Sequence, residues 1–192
     1  EFFRVRMATL SRIAELEDKS VHSESEHARQ LIKQINKLNN RYAGEFEEAV
    51  HEVTARLHEE NICLLKEDEL DEGQREYVRH FFRQRLSGFV SAVWLSAVKQ
   101  LTDEADEDIY LAIKLQAEGK KTFDYALIEL PVAVCGRFVQ LPDRGEKKCL
   151  MYLDDVIRFC LPMIFSGMGF VHFEAYAFKF TKDAEMEIDN DL

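Results

Sequence analysis

Apolar and polar residues follow a helical spacing from the start of the chain. At about 100° per residue, the apolar residues of the opening segment fall in one broad arc, and Arg6 lies near the middle of that arc. The members of the arc are Phe2, Phe3, Val5, Thr9, Leu10, Ile13, Ala14 and Leu16. This spacing predicts an amphipathic first helix that carries a cation on its apolar side.

Arg6 is the candidate binding residue of the segment. An arginine on an apolar helix side must pair with a carboxylate or a phosphate, or extend its guanidinium to water, because an unpaired buried charge is costly. The residues alone leave two interpretations open, a structural ion pair and a substrate or phosphate site at Arg6. They supply no catalytic residue and no metal site.

A second and much longer helix follows a polar break at residues 17–22. Ser23 and Glu26 have the spacing of a capping box, in which the two residues satisfy free backbone amides of the first turn. Apolar residues then recur in steps of three and four as far as residue 57, which predicts a helix of about 35 residues, roughly 50 Å long. Such a helix needs helical partners, so we predict an antiparallel bundle.

A third helix is predicted from Asp71, whose spacing to Gln74 is that of another cap. Four arginines flank its apolar stripe, namely Arg75, Arg79, Arg83 and Arg85. A basic helix face could bind phosphate, but a solvated face paired with nearby acids is commoner, and we favour that interpretation.

The spacing changes to that of strands in the second half of the chain. Apolar residues alternate over residues 109–115, and a turn at 118–120 leads into residues 123–130, which predicts a hairpin. Shorter strands are predicted at 137–142, 149–153 and 173–181, with one helix that Asp154 could cap and Pro162 should kink or shorten. We predict an α+β chain, with a helical domain over residues 1–88 and an antiparallel-sheet domain with one main helix over residues 89–192.

The charge and the cysteines narrow the range of functions. A formal net charge of -11 argues against a general nucleic-acid binder, because such a protein needs a basic surface. Four cysteines without a CxxC pair indicate reduced core thiols of a cytoplasmic protein: Cys63, Cys135, Cys149 and Cys160. No transmembrane run or signal peptide is visible, and no Walker, GxSxG or GxGxxG motif occurs.

Several blocks of the sequence resemble the large bacterial polyphosphate kinases. Residues 1–8, EFFRVRMA, resemble the end of the family segment N-L-D-E-F-F-x-V-R. Residues 130–131 and 137–142, LP and RFVQLP, are similar to the ELP…RFVxLP block. Residues 154–158, DDVIR, and 180–185, FTKDAE, resemble the L-D-x-I and T-R-D-A-E blocks that follow, in the same order and at similar spacing.

The resemblance implies an ATP:polyphosphate phosphotransferase that uses a phosphohistidine and Mg²⁺. It also implies that the helical and head domains are present here, whereas the phosphorylated His, a second catalytic His and the magnesium-associated arginines lie beyond Leu192. We therefore expect the segment alone to be inactive and to bind no cofactor itself. Lys182 stands where the family usually has Arg, which keeps the charge but loses a two-pronged donor.

The resemblance further implies ATP or ADP and inorganic polyphosphate as substrates, and a homodimer or a larger homo-oligomer. An alternative is a scaffolding and dimerisation module with no nucleotide role. A third interpretation, without the family, is a helical adaptor joined to an α+β binding module.

Overall fold

The chain begins with two helices and continues into two small sheets in this computed structural model, which describes residues 2–15, 22–97 and 108–179. Among these residues, the contacts place those up to Val53 in one unit and those from Thr54 onward in a second. Lys182 and the block at 180–185 lie outside the described residues. No helix among the described residues is both long and apolar enough to cross a membrane.

The first unit contains α1 (Phe2–Glu15) and most of α2 (His22–Glu59). The two helices pack through the buried side chains of Leu10 and Ala28, and Arg29 Nε donates to the carbonyl of Ala14 at 3.0 Å. The prediction of one long second helix is confirmed, at 38 residues. The apolar side of α2 is exposed farther along the helix, where Phe46 is 70% exposed.

The second unit contains two sheets. The strands are β1 (Ile62–Leu65), β2 (Ala92–Trp94), β3 (Ile109–Ala117), β4 (Asp124–Glu129), β5 (Phe138–Gln140), β6 (Lys148–Tyr152) and β7 (Phe170–Lys179). The three-stranded sheet has the order β1-β6-β5, and the four-stranded sheet has the order β2-β4-β3-β7. The hairpin predicted from alternation is confirmed as β3 and β4, which pair antiparallel. The α+β class is thereby confirmed.

One strand pair differs from the antiparallel arrangement that the sequence predicts. β1 pairs parallel with β6, with Ile62 opposite Lys148, and β5 pairs antiparallel with β6. A parallel pair needs a long crossover connection, and the chain supplies one that contains the third helix and the β3–β4 hairpin.

The helices of the second unit are α3 (Glu72–Phe81), α4 (Val132–Cys135) and α5 (Leu153–Ile164). A π-helical turn, Phe82–Leu86, follows α3, and a 3₁₀ turn, Leu95–Ala97, follows β2. Val78, Phe82 and Leu86 belong to the same buried cluster as the strands and α5. Periodicity grouped this helix with the helical domain, but its packing groups it with the sheets. The domain boundary at 88/89 stays a prediction.

The start of α3 is held by a network of hydrogen bonds. The predicted cap is confirmed, because the Asp71 carboxylate accepts from the backbone amide of Gln74 at 2.9 Å and the Gln74 side chain accepts from the Asp71 amide. Arg144 donates to Asp71 at 3.0 Å and to both the Glu69 carbonyl and Gln74 at 2.6 Å. The side-chain amide of Gln74 (Nε2) donates to the Pro142 carbonyl at 2.9 Å. These contacts join α3 to the loop between β5 and β6, which explains why the polar Gln74 is buried.

Substitution of Leu86 by alanine should strongly destabilise the second unit. Leu86 is 0% exposed within the shared cluster, so truncation leaves a cavity, and Leu86→Ala should lower the free energy of unfolding by about 2–5 kcal/mol. Leu95→Ala is the matched control, because Leu95 is 44% exposed and the expected loss is about 0.5 kcal/mol or less. Urea denaturation followed by circular dichroism measures both, and equal losses would contradict the core described.

Candidate functional site

A cavity of about 430 Å³ lies between α1 and α2 and contains the candidate residue Arg6. It is lined by Arg6, Thr9, Leu10, Ile13, Glu24, His27, Ala28 and Leu31. Helical spacing explains this set, because positions three and four apart share a helix side. Three of the α1 members, Thr9, Leu10 and Ile13, belong to the arc predicted from the sequence.

The cavity combines an apolar floor with polar side chains. Leu10 and Ala28 are buried, whereas Arg6, Glu24 and His27 are exposed. The Thr9 hydroxyl donates to the Val5 carbonyl at 2.8 Å, so its proton is already engaged. A guanidinium and an imidazole beside an apolar surface can bind an anionic group attached to an apolar one.

Arg6 is exposed, although the sequence placed it within an apolar arc. A helical wheel gives the direction of a side chain but not its depth, and the long arginine side chain can reach water from an apolar surface. Among the residues that the structure describes, no carboxylate forms an ion pair with Arg6, and Glu24 lines the same cavity without pairing with it. The anion site at Arg6 stays a prediction.

The arginines of α3 lie beside an aromatic ring of α5. Arg75 and Arg79 place their guanidinium carbons 5.8 and 5.4 Å from the ring centroid of Phe159. Arg79 also contacts the Glu72 carboxylate at 3.5 Å, whereas Arg75 donates to the Leu70 carbonyl at 2.9 Å. Of these two arginines, only Arg79 pairs with an acid as predicted. The cation–π contact with Phe159 accounts for the position of both.

A group of four charged residues surrounds the start of α5. Arg137 contacts Asp154 at 2.9 Å, Arg158 contacts Asp154 at 3.5 Å, and Arg158 also contacts Asp155. Both aspartates are 7% exposed. Asp154 does not cap α5 as the sequence suggested, because the helix begins one residue earlier and has no side-chain cap. The two arginines thus compensate the charge of two buried carboxylates, so this group of residues has a structural role.

The pKa of Asp155 is raised to about 6. Burial is the main cause, because it disfavours the charged carboxylate, and the charges of Asp154 and Glu67 act in the same direction. The guanidinium of Arg158 opposes the shift. Asp155 is therefore a carboxyl group that can hold a proton close to neutral pH.

The four cysteines differ in how deeply they are buried. Cys149 and Cys160 are buried, as expected for core thiols, and Cys63 and Cys135 are half-buried. Burial raises the pKa of Cys160 to about 12, so its thiol stays protonated. Over residues 2–15, 22–97 and 108–179, no three His, Cys, Asp or Glu side chains are grouped so that they could hold a metal ion.

Family models match almost the whole chain. A model described as the polyphosphate kinase N-terminal domain matches residues 1–65, and one described as the polyphosphate kinase middle domain matches residues 73–192. The second range includes nearly all of α3, in agreement with the packing of this helix against the sheets.

Individual polyphosphate kinases are also similar to the chain. Those of Vibrio parahaemolyticus and Escherichia coli (strain K12) are 28% and 29% identical over 196 residues, and the match covers 100% of this chain and 28% of each relative. The crystal structure of polyphosphate kinase from Porphyromonas gingivalis superposes with a TM-score of 0.72 and 21% identity over 98% of this chain and 29% of that one, which shows a shared fold. The chain thus spans little more than a quarter of the length of these proteins.

Replacement of Asp155 should change how stability depends on pH. Because the pKa is about 6 in the folded chain against 3.8 for an ordinary Asp, the contribution of this group to folding is fully present below pH 3.8 and is lost as the pH rises to 6. An asparagine side chain cannot ionise and does not lose this contribution. As the pH rises from 4 to 7, the free energy of unfolding of Asp155→Asn should therefore increase relative to that of the parent chain. Thermal unfolding across this range measures the difference.

The control for that measurement is Asp124→Asn, which alters an exposed carboxylate at the start of β4. It should leave the pH profile close to that of the parent chain. If Asp155→Asn and the parent chain had parallel profiles from pH 4 to pH 7, the raised pKa of Asp155 would be wrong.

Proposed function

Because the chain belongs to the polyphosphate kinase family, we propose that it is the helical and middle segment of an ATP:polyphosphate phosphotransferase. The complete enzyme would transfer the γ-phosphate of ATP reversibly to inorganic polyphosphate through a phosphohistidine located outside this segment. The single observation that carries the proposal is the pair of family matches over residues 1–65 and 73–192. Mg²⁺ is the cofactor proposed for the complete enzyme, and none is assigned to this segment.

The proposed contribution of the segment is one wall of the nucleotide or polyphosphate cleft, at the cavity that contains Arg6. Phosphoryl transfer depends mainly on positioning and on cations placed near the phosphate oxygens. Arg6 is exposed beside an apolar floor, and it pairs with no carboxylate among the described residues. Its guanidinium is available to donate hydrogen bonds to a phosphate group, and these would be charge-assisted.

The test of this role is Arg6→Ala in the complete enzyme. Loss of a charge-assisted contact to phosphate should lower kcat/KM for ATP about tenfold or more, with little change in stability. Arg12→Ala is the matched control, because Arg12 is exposed on the same helix and does not line the cavity, so its kinetics should stay unchanged. Unchanged kinetics with lowered stability for Arg6→Ala would instead identify a structural ion pair.

A second candidate function is self-association through α2. Leu38, Tyr42, Phe46 and Val53 follow one side of this helix at spacings of four, four and seven residues, and all are between 43% and 70% exposed. A contiguous apolar stripe of this kind is typical of a protein–protein contact. The segment would then act as a scaffolding and dimerisation module, with or without a nucleotide role.

Sedimentation equilibrium at several concentrations tests the second candidate. The apparent mass should rise above 22.4 kDa as the concentration increases, and Phe46→Glu should shift the rise to higher concentration because it places a charge in the stripe. Glu47→Gln, one residue away and off the stripe, is the control and should associate like the parent chain. A strict monomer at every concentration counts against self-association.

A further inference from the structure

A second cavity, of about 500 Å³, lies in the strand-containing unit beside the π-helical turn. It is lined by Phe81, Gln84, Arg85, Phe89, Val134 and Cys135. These residues come from the end of α3, the π-helical turn, the chain just after it, and α4. The cavity is separate from the one that contains Arg6, and no role proposed above uses it.

Arg85 is the one charged residue among the described lining residues. It forms no ion pair with a carboxylate in the described part of the chain, although the protein has 36 acidic residues and 25 Lys and Arg residues. Arg85 and Cys135 line the same cavity. Burial raises the pKa of the Cys135 thiol, and the Arg85 guanidinium opposes that shift. An unpaired guanidinium in an acidic protein favours an anionic ligand.

Two phenyl rings supply the apolar part of the cavity. Phe81 stacks on Tyr77 with ring centroids 6.2 Å apart and an angle of 18° between the ring planes, and this contact helps to fix the orientation of the Phe81 ring. Phe89 is 60% exposed and lines the cavity, so its ring is accessible to a ligand. Rings of this kind stack well against a flat aromatic group.

The π-helical turn is what brings a polar group and a charge to these rings. The amide of Ser87 donates to the carbonyl of Phe82 at 2.8 Å, five residues earlier, so this turn is wider than an α-helical one. Gln84 and Arg85 line the cavity, whereas Arg83 on the same turn does not. Such turns are rare and occur frequently at functional sites.

We propose that this cavity binds a small aromatic carboxylate, with its ring against Phe81 and Phe89 and its carboxylate on Arg85. One guanidinium matches one carboxylate in a two-pronged contact, and the Gln84 amide can donate a further hydrogen bond. A phosphate monoester carries a charge of about -1.5 to -2, which a single guanidinium would leave partly uncompensated in an acidic protein. The proposal does not rest on the phosphotransferase function.

Calorimetric titration of the 192-residue chain with phenylacetate tests the site. For a ligand of about ten non-hydrogen atoms, we expect a saturable 1:1 site with a Kd of about 1 mM or tighter. Arg85→Gln should weaken binding about tenfold or more, because it removes the charge, and Phe89→Ala should weaken it several-fold. Both residues are exposed, so the thermal unfolding midpoints should stay close to that of the parent chain.

Matched controls separate the site from general electrostatics. Arg83→Gln removes an exposed arginine two residues away that does not line the cavity, and it should leave phenylacetate binding unchanged. Acetate, which has the charge without the ring, and benzyl alcohol, which has the ring without the charge, should each bind at least about tenfold more weakly than phenylacetate. AMP should not displace phenylacetate.

Several results would overturn the proposal. The absence of saturation with phenylacetate, unchanged affinity in Arg85→Gln, or an equal loss in Arg83→Gln would each remove the site. Tighter binding of AMP than of phenylacetate would overturn the assignment to a carboxylate. None of these results bears on the Arg6 experiment, so the two proposals fail independently.

Discussion

Burial of α5 together with its two carboxylates is the constraint on which the second unit depends. This helix packs against strands of both sheets and against the π-helical turn, and most of its side chains are buried. Asp154 and Asp155 are tolerated there because Arg137, immediately before β5, and Arg158 compensate their charge. Arg158 also donates to the Ala175 carbonyl in β7 at 3.1 Å, so the same group of charges joins the three-stranded sheet, the helix and the four-stranded sheet.

Local features of the fold were predictable because their signals are local. The Asp71 cap, the β3–β4 hairpin and the long α2 follow from residues close in sequence. The parallel pairing of β1 with β6 was not predictable, because a run of four apolar residues carries no information on a partner more than eighty residues away. The packing of α3 was missed for a similar reason, since an apolar helix stripe does not reveal whether a helix or a sheet covers it.

The candidate sites, too, combine local features that were predictable from the sequence with long-range features that were not. The position of Arg6 on α1 follows from the sequence, but its exposure depends on depth, which a helical wheel does not give. The cavity beside α3 combines segments about fifty residues apart, so no single motif marks it. The sequence did contain one signal of the π-helical turn. Val78, Phe82 and Leu86 recur at a constant spacing of four residues, and in an α-helix each such step turns the side-chain direction by about 40° around the helix axis. The wider π-helical turn helps to keep all three side chains in the core.

The parallel pairing of β1 with β6 also has a consequence for the order of folding during synthesis. At translation rates of about 5–20 residues per second, β6 leaves the ribosome roughly 4–17 s after β1, whereas β4 follows β3 within about 3 s. Loop-closure entropy likewise favours the short-range hairpin over the long-range pair. The nascent chain therefore carries Ile62–Leu65 as an apolar segment without its strand partner until the three-stranded sheet closes, and during that interval the segment is open to non-native contacts.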